Sequence, residues 1–286
     1  MTNGANESVV NQGGPASNGK VASPILEAQA VTMAFGGVRA LSEVSVSFAA
    51  GEICGLIGPN GAGKTTLFDC LTGIRRPTSG SIRYGGEEVT GRSATWFARQ
   101  GMRRTFQRQQ IFGWLPVEDN VLVALEWRGG GGGLAADLLA LPWRGGPPPR
   151  RPPPRPPPPP PPPRDRVDEV LARCGLEALR LEPAANLPIG QARMVELARA
   201  VVDRPKVLLL DEPTSGLEES EVENLAIVVR RLCEEDGCAV VLVEHDVGFV
   251  MRECNRVVVL NLGSLIANDV PEVVRADPAV REAYLG

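Results

Sequence analysis

The octapeptide GPNGAGKT at residues 58–65, set between the apolar run ICGLI and the helix-forming run TLFDCLTG, constrains the fold of this 286-residue chain more than any other stretch. It matches G-x-x-x-x-G-K-[ST] in the strand-then-helix context that the pattern requires. Glycines in such a loop let successive backbone amides turn inward around a phosphate, and a helix N-terminus favours negative charge there. Lys64 supplies a positive charge for the terminal phosphates, and Thr65 offers a hydroxyl to magnesium. These residues predict an α/β core with a phosphate site between a buried strand and the helix that follows it.

Two further runs extend that core. VLLLDE at 207–212 and AVVLVEHD at 239–246 are short continuous apolar stretches of the kind found in parallel strands covered on both faces. Upstream, ILEAQAV and VSVSF flank the turn signal FGG and predict an antiparallel β subdomain. Helical stretches near 93–100, 117–126 and 165–173, with another opening at Gly190, predict a helical lobe inserted at about 93–203. Inside it lies a Gly/Pro-rich insert, 128–164. Fourteen of the chain's 26 prolines fall within 147–163, which excludes helix and sheet there. Such a run reads as a tolerated surface loop, a polyproline II ligand or stiff spacer, or an error in the sequence. Residues 1–23, rich in Gly, Asn and Ser, read as a disordered tail before a single domain at 24–286.

Composition removes several function classes. Hydrophobic residues at 43 % and charged residues at 22 % are ordinary for a globular protein, and a net charge of −4 gives no footprint for nucleic acid. The neighbouring Arg103 and Arg104 are expected on a solvated face. Six scattered cysteines without a CxxC pair suit buried free thiols in a reducing cytoplasm. The longest apolar runs are strand-sized and far short of a bilayer span, and the N-terminus lacks the pattern of a secretory signal. Any membrane work is therefore expected of a partner.

Asp211 and Glu212 end a buried strand, where a phosphate loop's metal needs a carboxylate. Asp211 is the metal-side candidate. Glu212, expected on the other side of the chain by strand alternation, is the candidate to accept a proton from an attacking water. His245, the only histidine, follows the second run and taken alone reads as structural.

In order along the chain, the phosphate loop, FQ at 106–107, LPIGQ at 187–191, LLLDEP, SGLE and EHD resemble the ABC ATPase family over residues 25–286. Within it, VEHDVGFVMRECNRVVVLNLGSLIA and the ending VREAYLG are similar to the LivG-type ATPases of branched-chain amino-acid importers. The resemblance implies a P-loop NTPase core with an antiparallel β subdomain and a helical lobe. It also implies a head-to-tail homodimer or heterodimer with two ATP molecules between its subunits.

By resemblance, Phe35 stacks on adenine; Gly58, Pro59, Asn60, Gly61, Ala62, Gly63, Lys64, Thr65 and Thr66 hold the phosphates; and Thr65, Gln107 and Asp211 serve Mg2+. Glu212 is the general base, with His245, Gln107 and Lys64 completing the catalytic set, and Pro188, Ile189, Gly190 and Gln191 cap the ATP of the other subunit. That segment departs from the family's L-S-G-G-Q: Pro188 replaces a serine, one hydroxyl donor is lost, and the amides of Gly190 and Gln191 remain. Glu218 stands where the family usually carries aspartate.

The implied partners are permease subunits, docked through a groove that Ile111, Phe112, Trp114 and Leu115 could line, and indirectly a solute-binding protein. The implied location is the cytoplasmic face of the membrane. A soluble ABC ATPase acting on ribosomes or DNA, and a lipid-exporter ATPase, are the alternatives. One P-loop and no sustained heptads weigh against the former.

Overall fold

A computed structural model describes residues 23–106, 110–126 and 164–285. Residues 1–22 of the tail, Gln107 and residues 128–163 of the insert lie outside the described residues.

Two sheets share the chain. β1 (Pro24–Phe35) and β2 (Val38–Ala49) form the expected hairpin across Gly36 and Gly37, and β4 (Ser79–Tyr84) and β5 (Glu87–Glu88) extend it in the order β2-β1-β4-β5. The second sheet has the order β10-β9-β3-β8-β7-β6, built from β3 (Ile53–Ile57), β6 (Met102–Arg104), β7 (Val207–Asp211), β8 (Ala239–Val243), β9 (Arg256–Asn261) and β10 (Ser264–Asp269). All its pairings are parallel except β9 with β10.

The period of two along these strands builds two cores. Ile53, Ile57, Leu208, Leu210, Val240 and Leu242 face one cluster, with Val195, Leu225 and Phe249 from covering helices. Cys54, Leu56, Val207, Leu209, Val241 and Val243 face the other, with Leu26, Val46 and Phe48 from the antiparallel sheet and Leu67 and Phe68 from α1 (Lys64–Leu71). Coverage on both faces is why β3, β7 and β8 are buried throughout and carry continuous apolar runs rather than alternating ones.

The remaining helices are α2 (Ala94–Arg99), α3 (Val117–Glu126), α4 (Arg164–Arg173), α5 (Ile189–Val201), α6 (Glu219–Glu234), α7 (Val247–Glu253), α8 (Pro271–Ala276) and α9 (Pro278–Leu285). The stretch 93–203 thus contains one strand, β6, that belongs to the parallel sheet, and its long helices follow that strand.

The solvated face expected for Arg103 and Arg104 is corrected by the structure. Their side chains are 17 % and 7 % exposed, paired with Asp203 and with Asp69 and Asp211 respectively. Alternation on β6 sends them to opposite faces of a sheet edge that helices cover. All six cysteines are buried and unbridged. Among the described residues no helix is long and apolar enough to cross a membrane.

Candidate functional site

The loop at 58–65 leaves β3 and is seated on backbone. A Cβ at Gly58 would stand 2.1 Å from the Leu260 carbonyl oxygen, and one at Gly63 would stand 2.6 Å from that of Ala40. Gly63 has φ 103, a left-handed conformation that glycine alone adopts without strain. The β9–β10 turn fastens the loop from below: Gly263 N–H donates to Ala62 O at 3.0 Å, and Ser42 N–H to Gly263 O at 2.8 Å.

Gly63 caps α1 with no side-chain hydrogen bond, and the first turn holds no acidic residue, so its amides suit an exogenous anion. Thr65 is exposed and Lys64 is buried. Lys64 Nζ donates to the carbonyls of Gly58 (2.7 Å) and Pro59 (3.1 Å). Burial pushes its pKa down, while the nearby carboxylates of Glu212 and Asp211 push it up. Three residues scattered over 149 positions of sequence therefore feel one another's charge.

Asp211 is the last residue of β7 and 7 % exposed. Burial raises its carboxyl pKa, and the hydrogen bond and charge of Arg104 oppose that rise. Glu212 does not follow by strand alternation as expected. Its φ of 49° is left-handed, a strained conformation for a non-glycine residue, and its N–H donates to Val243 O at 2.9 Å. The bend brings Glu212 Oε1 to 3.0 Å from His245 Nε2, at the end of the adjacent strand β8. The tautomer protonated on Nε2 donates to the carboxylate and orients it.

Some of the scaffold escaped sequence reading. Glu244, 3 % exposed, accepts from Thr214 N–H and Oγ1 at 2.8 Å each and from His245 N–H at 3.1 Å, clamping the segment after Glu212 to the strand before His245. Asp246 caps α7 through Phe249 N–H. Tyr284, on α9, lies near the Gly58 main chain, whose influence lowers its pKa against the rise that burial causes. The signal for the first two is EHD, which sets both carboxylates beside the histidine; Tyr284 has no local signal.

Phe35 ends β1, 42 % exposed, with the Arg75 guanidinium 5.2 Å from its ring centroid. In the segment 188–191, Pro188 is the N-cap of α5 with no side-chain bond, and Ile189 is 61 % exposed. A Cβ on Gly190 would overlap the carboxylate of Glu221, and one on Gly216 would touch Ile189 Cγ2 at 3.5 Å. This segment therefore packs on the loop and helix that follow Glu212. Glu218 and Glu221 form a reciprocal capping box at the start of α6, the local task to which Glu218's carboxylate is put.

The oxygen donors described near the loop for a dication are the Thr65 hydroxyl and the carboxylates of Asp211 and Glu212, and among the described residues no cluster of three or more His, Cys, Asp or Glu could hold a metal. So poor a set fits magnesium that arrives already bound to phosphates, not a resident metal.

A family model described as "ABC transporter" matches residues 41–215. This chain belongs to the ABC transporter family. It is an ATP-hydrolysing cassette of that family, and a second model, "Branched-chain amino acid ATP-binding cassette transporter", matches residues 264–286. The cassette is 37 % identical over 268 residues to the high-affinity branched-chain amino acid transport ATP-binding protein BraF of Pseudomonas aeruginosa, covering 92 % of this chain and 98 % of that one. It is likewise 37 % identical to LivG of Escherichia coli K12, a protein of the same description, over 93 % of this chain and 99 % of that one. Among solved structures, the ADP conformation of MJ1267, an ATP-binding cassette of an ABC transporter, superposes with a TM-score of 0.73 at 26 % identity, covering 92 % of this chain and 99 % of that one.

Proposed function

We propose that this cassette hydrolyses Mg2+-bound ATP with Glu212 as general base and so powers an importer of branched-chain amino acids or a related small polar solute. The observation carrying the chemical part is the Glu212–His245 contact at 3.0 Å, made from a strained backbone beside the phosphate loop. The solute class rests on the match at 264–286 and on the names of the relatives.

In this reading the loop amides and Lys64 bind the phosphates, and Thr65, Asp211 and Gln107 would hold magnesium, which would supply positive charge to offset that of the phosphates. Phe35 stacks on the base. Glu212 takes the proton of the attacking water, and His245 fixes the carboxylate that takes it. Pro188, Ile189, Gly190 and Gln191 cap the nucleotide of a second subunit, identical or homologous, where the N-terminus of α5 favours an anion. Residues 24–286 act as one ATPase domain, its helical lobe carrying that segment.

A groove of about 350 Å³, lined in part by Phe106, Phe112, Val123 and Arg199, with Trp114 exposed just outside it, suits a helix of a membrane permease. Docking there puts the cassette on the cytoplasmic face of the membrane, with a solute-binding protein acting through the permease. Tagged protein is expected to co-purify with permease subunits and, reconstituted with them and their binding protein, to drive ATP-dependent uptake of leucine. Recovery of ribosomes or DNA instead, or lipid export without uptake, would overturn the importer reading.

A further inference from the structure

Arg104 makes contacts that phosphate binding and water activation leave unexplained. It sits on β6, paired in parallel with Leu209 of β7, three residues before Gln107. Its Nη1 donates to Asp69 Oδ1 at 2.7 Å and its Nη2 to Asp211 Oδ2 at 3.2 Å. The guanidinium lies 5.5 Å from the Phe68 ring centroid and 5.2 Å from that of Phe106, and the side chain is 7 % exposed.

Asp69 belongs to α1, the helix opened by Lys64, and is itself held by Arg75 Nε at 3.0 Å, the arginine that lies over Phe35. Thr105, the next residue of the chain, accepts the Asp211 N–H at 3.3 Å. The last residue of the edge strand and the one just beyond it thus hold the carboxylate and the peptide of Asp211.

We infer that Arg104 is a positioning residue for the metal: it fixes one oxygen of Asp211 and thereby sets the orientation of the other toward the magnesium of the bound nucleotide. The inference rests on the reading of Asp211 as the metal-side carboxylate. The torsion of an aspartate carboxylate is soft, so a carboxylate at the end of a strand needs an external partner to hold one orientation. Groups that orient a metal ligand typically change metal affinity 10–100-fold when removed. A planar guanidinium can engage two carboxylates on different elements at once, a geometry that an ammonium reproduces poorly. The same fork ties the carboxylate to the phosphate-loop helix, so its position follows the loop.

The rival account is a cross-link that joins α1, β6 and β7 and has no bearing on the metal. Mn2+ binding separates the two. The full chain would be loaded with a non-hydrolysable ATP analogue, free Mn2+ read by electron paramagnetic resonance, and analogue binding in EDTA measured alongside. Arg104→Met is expected to weaken Mn2+ retention about tenfold, with analogue binding in EDTA within about twofold of the parent. Arg104→Lys should recover part of the loss, and Asp69→Asn, which weakens the arginine's anchor together with the Arg75 pair, should cost about threefold.

If Arg104→Met does not fold, Arg104→Lys and Asp69→Asn give the same readout. Parental Mn2+ retention in the folded variants, alongside clear loss in Asp211→Asn, overturns the inference and leaves the cross-link. Parental retention in Asp211→Asn itself overturns the metal-side reading on which the inference stands.

Discussion

The phosphate loop and the segment 188–191 are built in opposite ways. The loop springs from a strand with every residue buried, rests on the carbonyls of Leu260 and Ala40, and keeps Lys64 at 7 % exposure. The other segment opens a helix whose later residues are buried, yet it begins with an exposed Pro188 and with Ile189 at 61 % exposure. The first region is held in shape by its own core. In the second, Gly190 is buried against Glu221 but Pro188 and Ile189 gain no comparable burial within the chain, as expected of a surface that meets a second subunit. The difference divides the proposed active site into a rigid half that binds and an outward half that completes.

Substitutions on the two sides should behave accordingly. Glu212→Gln removes the proton acceptor and keeps the shape, so phosphate release is expected to fall by about 10²–10⁴-fold while ATP still binds. Undiminished turnover would remove Glu212 from its role. Leu56→Ala empties a fully buried position behind the loop and should cost about 3 kcal/mol in chemical denaturation, whereas Ile189→Ala should stay within about 0.5 kcal/mol. Equal costs would erase the contrast between the regions.

Ile189→Asp should lower turnover about tenfold by charging the surface that meets the partner's phosphates, with nucleotide binding to the single chain unchanged. A loss of single-chain binding would place the segment in its own subunit's site. The native thiols are buried, with Cys54 and Cys174 pushed up to about 12, so a maleimide at pH 7 should label only Ile189→Cys. Protection of that cysteine by ATP in the Glu212→Gln background would report a closed pair. Tyr284→Phe, which removes a hydroxyl near the Gly58 main chain, should change KM for ATP by less than about threefold and leave the melting temperature nearly unchanged.

Much of the fold was legible because its signals are local. A glycine loop between a strand and a helix, apolar runs of five residues, and FGG between alternating segments each specify a hydrogen-bonding pattern within a few residues. Arg104 was not legible. An arginine pair beside a short strand reads as solvated until α1 and β7 bring carboxylates from 35 and 107 residues away. The left-handed turn at Glu212 was equally hidden, since alternation from VLLLD points elsewhere and the bend depends on Val243 across the sheet.

The sequence by itself determined the strands, the phosphate loop and the residue types of the chemistry, because backbone geometry and side-chain period act over short spans. Only the tertiary structure decided which charges are buried, which oxygen of Asp211 is held, and which carboxylate His245 meets. Those outcomes depend on groups far apart in sequence, brought together by packing, where desolvation makes an unpaired charge costly and an oriented partner effective.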